Sequence, residues 1–136
     1  MIKEKSCGAV VYKYENGVLK ILVEKMKMGH FSIPKGHVEG SETEEQTALR
    51  EIREETNLNV KLNTSFRYVI SYSPYPDCVK DVVFFLAEFC GGEIINQECE
   101  VSAISWETVD DALNIITHES DREMLKAAVK AIEALN

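Results

Sequence analysis

The order of the sequence predicts one α/β or α+β domain built on a mixed β-sheet. Two β-rich runs come first and a single helical stretch follows; further long β-rich runs then give way to closing helices. A length of 136 residues suits one compact domain with a substantial hydrophobic core. Content that is 45% hydrophobic and 28% charged is ordinary for a globular protein. No repeat, low-complexity stretch or linker interrupts the chain, so residues 1–136 are expected to form a single domain.

The runs "SCGAVVYKY" and "VLKILVE" flank Glu15-Asn16-Gly17, and the Asn-Gly pair favours a tight hairpin between two strands. "KMKMGHFSIPKGHVEGS" follows, with Gly, Pro and His breaking any regular period. It reads as a loop with a short strand at Phe31–Ile33. Ser41-Glu42-Thr43-Glu44 matches a capping box with Ser41 as N-cap, which puts Glu42 in the first helical turn. Ala48, Leu49, Ile52 and Thr56 form the expected buried stripe, and Asn57 the stop, because Asn tolerates the left-handed conformation. "LNVKLNTSFRYVISYS" and "CVKDVVFFLAEF" read as long strands joined by "PYPD", whose prolines do not suit a central sheet position. Gly91-Gly92 is a turn and "VSAISWE" a further strand. Thr108–Asp111 and Ser120–Glu123 read as capping boxes opening two helices. In the second of these, Leu125, Ala128, Ile132 and Leu135 share one face.

Lys and Arg total 15 against 23 Asp and Glu, a net charge of −8. That balance argues against a general nucleic-acid or acidic-membrane binder, which draws its affinity from clustered cations. It leaves room for a phosphorylated small substrate, because a bound divalent metal reverses the local sign. The four cysteines, Cys7, Cys78, Cys90 and Cys99, form no Cys-x-x-Cys pair, and those in or beside apolar runs read as buried free thiols. "MIKEKSCGAV" has no stretch apolar enough for a signal peptide, and no segment approaches a membrane span, so a cytoplasmic location is expected. No apolar surface helix calls for a partner, which makes a monomer the default.

Glu51, Glu54 and Glu55 fall within one arc of roughly 100° near the end of the first helix. Like charges at this spacing repel by about 0.2–0.5 kcal/mol per pair. Acidic groups near a helix C-terminus also oppose its dipole by about 0.3–1 kcal/mol each. The penalties are small, but their coincidence points to a cation. A solvated face with an Arg50–Glu54 pair is the alternative reading of these residues taken alone.

Gly36, Glu42, Arg50, Glu51, Ile52, Glu54, Glu55 and Leu58 stand at the spacing Gly-x5-Glu-x7-Arg-Glu-apolar-x-Glu-Glu-x-Gly-apolar, except that Asn57 replaces the second glycine. This pattern resembles the Nudix box of the Nudix hydrolases. The resemblance implies an α/β/α sandwich with a central mixed sheet and a loop–helix–loop. It also implies Mg²⁺ or Mn²⁺ held by Glu51, Glu54 and Glu55 and carboxylates oriented by Arg50. Glu42 has either a place near the metal or a capping role. Gly36 either offers its carbonyl to the metal or is a plain turn glycine.

"PKGHVE", residues 34–39, is similar to a segment of the asymmetrical diadenosine tetraphosphate hydrolases within that family. By that likeness Lys35 and His37 are candidates to hold phosphate oxygens, His37 being otherwise a loop histidine with no partner, and Phe84 either stacks on adenine or packs in the core. Glu100 is either a metal ligand or general base or a solvated loop residue. Tyr72 and Tyr75, flanking Pro74, are candidates to clamp a purine, and Lys80 to reach the far end of a polyphosphate. The implied reaction is metal-dependent hydrolysis of a dinucleoside polyphosphate to ATP and AMP, with Glu54 and Glu100 as candidate bases. The partner is then a small nucleotide. Nucleoside triphosphates, including oxidised ones, and RNA 5′ ends are the rival substrates. A nucleotide sensor that binds without cutting and a structural domain with an acidic Ca²⁺-binding helix are rivals of other classes.

Overall fold

The computed structural model describes residues 1–96 and 100–135; Cys99 lies outside them. In chain order the elements are β1 (Ile2–Glu15), β2 (Val18–Met26), β3 (Phe31–Ser32), β4 (Lys35–His37), α1 (Glu44–Thr56), β5 (Asn59–Tyr72), β6 (Cys78–Gly91), β7 (Val101–Thr108), α2 (Val109–Ile115) and α3 (Glu119–Ala134). The β1–β2 hairpin turns at Asn16 and Gly17, both at positive φ (53° and 80°), as the Asn-Gly pair allows.

The sheet is mixed. β1 runs parallel to β6, from Ile2 opposite Cys78 to Tyr12 opposite Glu88. It runs antiparallel to β2 at one end and to β4 at the other, where Cys7 faces Gly36. β5 is antiparallel to β6, and β2 pairs with both β3 and β7. β4 lies where the sequence suggests only loop: three residues are too few to show a period, and pairing with β1 creates the strand. Gly8 of β1 makes this approach possible, since a Cβ there would lie 2.0 Å from the Pro34 carbonyl oxygen.

Alternation along the strands sorts the core into two layers. Val10, Ile21, Val82 and Phe84 pack with α2 and α3, whereas Cys7, Leu22, Val83 and Phe85 pack with Ala48 and Ile52 of α1. The result is the expected α/β/α arrangement. Burying Ile52, which is fully enclosed, contributes about 1.5–3 kcal/mol. That exceeds the repulsion along the acidic face, so packing holds α1 in place.

Four local readings need correction. The N-cap of α1 is Thr43, not Ser41: its hydroxyl accepts from the Gln46 amide (3.1 Å) while the Gln46 side chain takes the Thr43 amide (2.9 Å). Glu42 therefore precedes the helix, and Glu44 is free to bind Arg67 and Lys5. Leu49 is 41% exposed because Glu55, seven residues beyond Ala48, takes the inner arc instead. α3 begins at Glu119 after His118, which makes no side-chain cap, and Leu135 lies past the helix end and is exposed. Cys7 and Cys78 are buried as expected, but Cys90 is exposed near the end of β6.

Asn57 ends α1 at φ 66°, its amide bonding the Arg53 carbonyl (2.9 Å). Asn57→Gly is expected to leave stability in urea within about 0.5 kcal/mol of wild type. Asn57→Val, forced into the left-handed region, is expected to cost about 1–2 kcal/mol.

Candidate active site

Arg50 projects from the middle of α1 and spends all five of its N–H donors on four neighbouring groups. Nε and Nη2 hold both oxygens of Glu42 (2.7 and 3.0 Å), Nη1 bridges Glu51 and Glu54 (2.7 and 2.8 Å), and Nη2 also takes the His37 carbonyl (2.9 Å). One guanidinium thus faces three carboxylates, leaving an excess of negative charge. These bonds, that to Glu42 foremost, hold the Arg50 pKa above its already high ordinary value. Glu42 is held down to about 2, first by Arg50, then by the Glu39 amide and the Thr47 hydroxyl.

The three glutamates of α1 differ sharply in exposure. Glu54 is the most open, with its side chain 43% exposed; that of Glu51 is 14% exposed. Glu55 is buried, and its Oε1 has no hydrogen-bond partner. Burial, then the carboxyl groups of Glu24 and Glu51, push the Glu55 carboxyl well above the usual carboxylate range. Glu24, in β2, is only 1% exposed and escaped the sequence reading. Its signal there is a carboxylate directly after the apolar Ile21-Leu22-Val23 within a strand.

Gly36 of β4 sits directly over this group. A Cβ at position 36 would lie 2.1 Å from the Glu51 carboxyl carbon, so the glycine is required by Glu51 and not by a turn. Lys35 and His37, its neighbours in the strand, alternate to the other face of the sheet.

A NUDIX domain model matches residues 4–128. The chain belongs to the Nudix family. It is 28% identical to a bis(5′-nucleosyl)-tetraphosphatase [asymmetrical] of Sus scrofa, covering 90% of each chain. It is 32% identical over 109 residues to an 8-oxo-(d)GTP phosphatase of Mycolicibacterium smegmatis, matching 80% of this chain and only 33% of that relative's length. Among solved structures, a C. elegans Ap4A hydrolase binary complex superposes with a TM-score of 0.87 at 24% identity, covering 96% of this chain and 98% of the other. That likeness establishes the Nudix fold.

Among the described residues no three His, Cys, Asp or Glu side chains stand grouped as a finished metal cage. Glu51 and Glu54 are turned onto Arg50, and Glu55 meets Glu24. The chemistry of the Nudix helix nevertheless fits a hard divalent cation. Its donors are all oxygens, the local charge is negative, and a buried Glu55 oxygen is unsatisfied. Glu51, Glu54 and Glu55 are the residues that could hold such an ion.

On the α3 side of the sheet a cleft of about 350 Å³ is lined by His30, Ser32, Lys35, Ile70, Tyr72, Val82, His118, Ser120 and Asp121. It brings Lys35 and Tyr72 together. Lys80, opposite Tyr72 in the β5–β6 ladder, has its pKa lowered by burial and then by the charge of Lys35. The cleft's edge is fixed where Phe31 and Thr117 exchange bonds: the Phe31 amide donates to Oγ1 of Thr117 (2.9 Å) and the Thr117 amide to the Phe31 carbonyl (3.2 Å). A wider hollow of about 510 Å³ lies at the far end of β1, lined by residues such as Tyr12, Tyr14 and Phe89, and touches none of the box residues.

Other sequence candidates fall elsewhere. Phe84 is fully enclosed in the α3-side core, so its ring has no face to offer adenine and the core-packing alternative applies. Tyr75 points away from Tyr72's cleft, its hydroxyl donating to Glu4 (2.9 Å), so the two tyrosines do not line one cleft. His37 is exposed and meets Arg50 through its backbone carbonyl. Glu100 is an exposed turn residue whose carbonyl accepts from the Lys27 amide (2.8 Å); its carboxylate does not join the Arg50 group.

The depressed Glu42 carboxyl makes a pH prediction. Its folded-state pKa of about 2 lies below the ordinary 4.5, so the folded chain binds fewer protons than the unfolded chain between those values. Its stabilising contribution is therefore complete above about pH 4.5 and lost as pH falls toward 2. Thermal melts should show wild type above Glu42→Gln at pH 7, with the gap closing across that acid window. A gap that stays constant down to pH 2 would contradict the Arg50–Glu42 assignment.

Proposed function

We propose that this Nudix protein hydrolyses a dinucleoside polyphosphate, with diadenosine tetraphosphate cut to ATP and AMP as the leading case. The observation that carries the reading is the Arg50 group: three box carboxylates gathered on one guanidinium that also holds the His37 carbonyl, two residues along the chain from Lys35 in the cleft. The likeness to the Sus scrofa enzyme, end to end at 28% identity, supports the choice of substrate. So does the pairing of Lys35 and Lys80 beside Tyr72, which offers two cations for a polyphosphate and an aromatic face for a base.

Glu51, Glu54 and Glu55 would hold Mg²⁺ or Mn²⁺. When bound, such a cation neutralises phosphate charge and lowers the pKa of a coordinated water. Arg50 keeps Glu51 and Glu54 aligned through bonds that a flexible ammonium could not make at once. Glu54, the most exposed of the three, takes the proton of the attacking water as that water's oxygen bonds to phosphorus. The bond from phosphorus to the bridging oxygen breaks, and the leaving nucleotide departs with its phosphates. Lys35 and Lys80 bind the remaining phosphates and Tyr72 stacks on a base. Glu100 is the second candidate base, less favoured because it lies outside the Arg50 group. The rival substrate is an oxidised nucleoside triphosphate, as the Mycolicibacterium relative's name specifies.

The test is chromatography of nucleotides after incubation with Mg²⁺ and diadenosine tetraphosphate, alongside 8-oxo-dGTP. Equal ATP and AMP, abolished by a chelator, are expected. Two ADP would overturn the cleavage position, and turnover of 8-oxo-dGTP alone would overturn the substrate. Glu54→Gln should fold normally and lose at least about 100-fold in rate; near-normal turnover would overturn the site.

A further inference from the structure

We infer that Glu24 is a further carboxylate of the cation site, forming with Glu55 its inner, water-poor end. This rests on the reading above that the glutamates of α1 hold a divalent cation. The box does not contain Glu24, which lies on a different element twelve residues before Gly36.

The position is tightly fixed. The backbone of Glu24 is paired on both edges of β2, with Ser32 on one side and Ile104 on the other, so the strand cannot swing the side chain outward. Leu22, two residues earlier, packs in the α1-side layer, and alternation puts Glu24 on that same face. There it is buried, as Glu55 is, and its carboxyl group is near enough to act on that of Glu55. Glu55 is itself pinned, because Ile52 and Thr56 on either side of it are buried in the same layer.

Two neighbouring carboxyl groups at such depth are costly, since burial and mutual repulsion both disfavour their charged forms. An apolar residue, as at Leu22, would fill the space without that cost. A cation between them removes it. The ligand class is a hard, oxygen-preferring divalent ion, Mg²⁺ or Mn²⁺. Glu51 links this inner pair to Arg50, so carboxylates run from buried Glu24 and Glu55 through Glu51 to open Glu54.

The test is Mn²⁺ titration followed by electron paramagnetic resonance on the full chain, comparing wild type, Glu24→Gln and Glu51→Gln, with thermal melts in chelator. Glu24→Gln is expected to bind Mn²⁺ about 10- to 100-fold more weakly. Its melting temperature in chelator should equal or exceed that of wild type, because the amide can donate to Glu55. Wild-type affinity in Glu24→Gln, with binding lost in Glu51→Gln, would overturn this inference and leave the metal reading standing. No Mn²⁺ binding by wild type at millimolar concentration would overturn both. If Glu24→Gln does not fold, Glu24→Asp keeps the charge but shortens its reach; weaker binding supports the role and unchanged binding overturns it.

Discussion

A guanidinium whose every donor is engaged is a rigid object, and the candidate site is assembled around one. Arg50 fixes Glu42, which lies before the helix, to Glu51 and Glu54, which lie on it, and reaches β4 through the His37 carbonyl. Without it three carboxylates and a short strand would have no common partner. The group is net negative, so α1 needs another source of cohesion. It comes from Ala48 and Ile52, fully buried against the sheet, whose apolar contribution outweighs repulsions of a few tenths of a kcal/mol per pair.

The sheet supplies the second constraint. β1 is shared between β2 at one end and β4 at the other, and that division carries the β4 segment across its edge. Within three residues the segment presents Gly36 to Glu51 on one face and Lys35 to the cleft on the other. The Lys35 cation and the carboxylates around Arg50 thus lie on opposite faces of one strand, a few ångströms apart along the backbone. The missing side chain of Gly36 is what lets the two layers approach.

Much of this was legible from sequence, for identifiable reasons. The box spacing recorded the helix, its acidic face and Arg50, because a single element repeats at a fixed angle. Asn16-Gly17 announced the hairpin because few residue pairs tolerate two positive φ angles. Local competition was harder to read: Ser41 and Thr43 are both acceptable caps, and the choice fell to Thr43 because Gln46 could reach back. Contacts between distant segments were harder still. Whether Phe84 faced core or cleft depended on strand register, and Glu24 gained meaning only when β2 was laid under α1. A glutamate that closes a short apolar run is the residue that a search for periodicity discards and a search for buried charge keeps.

The most direct measurement is the turnover of Arg50→Lys on whichever nucleotide the wild-type chain hydrolyses fastest, with circular dichroism to establish the fold. A lysine preserves the positive charge but cannot hold Glu42, Glu51, Glu54 and the His37 carbonyl together. If Arg50 organises the site, the variant folds with a lower melting temperature and loses about 100-fold or more in kcat/KM. Turnover close to wild type in a folded Arg50→Lys would show that charge alone suffices and that the guanidinium does not organise the site.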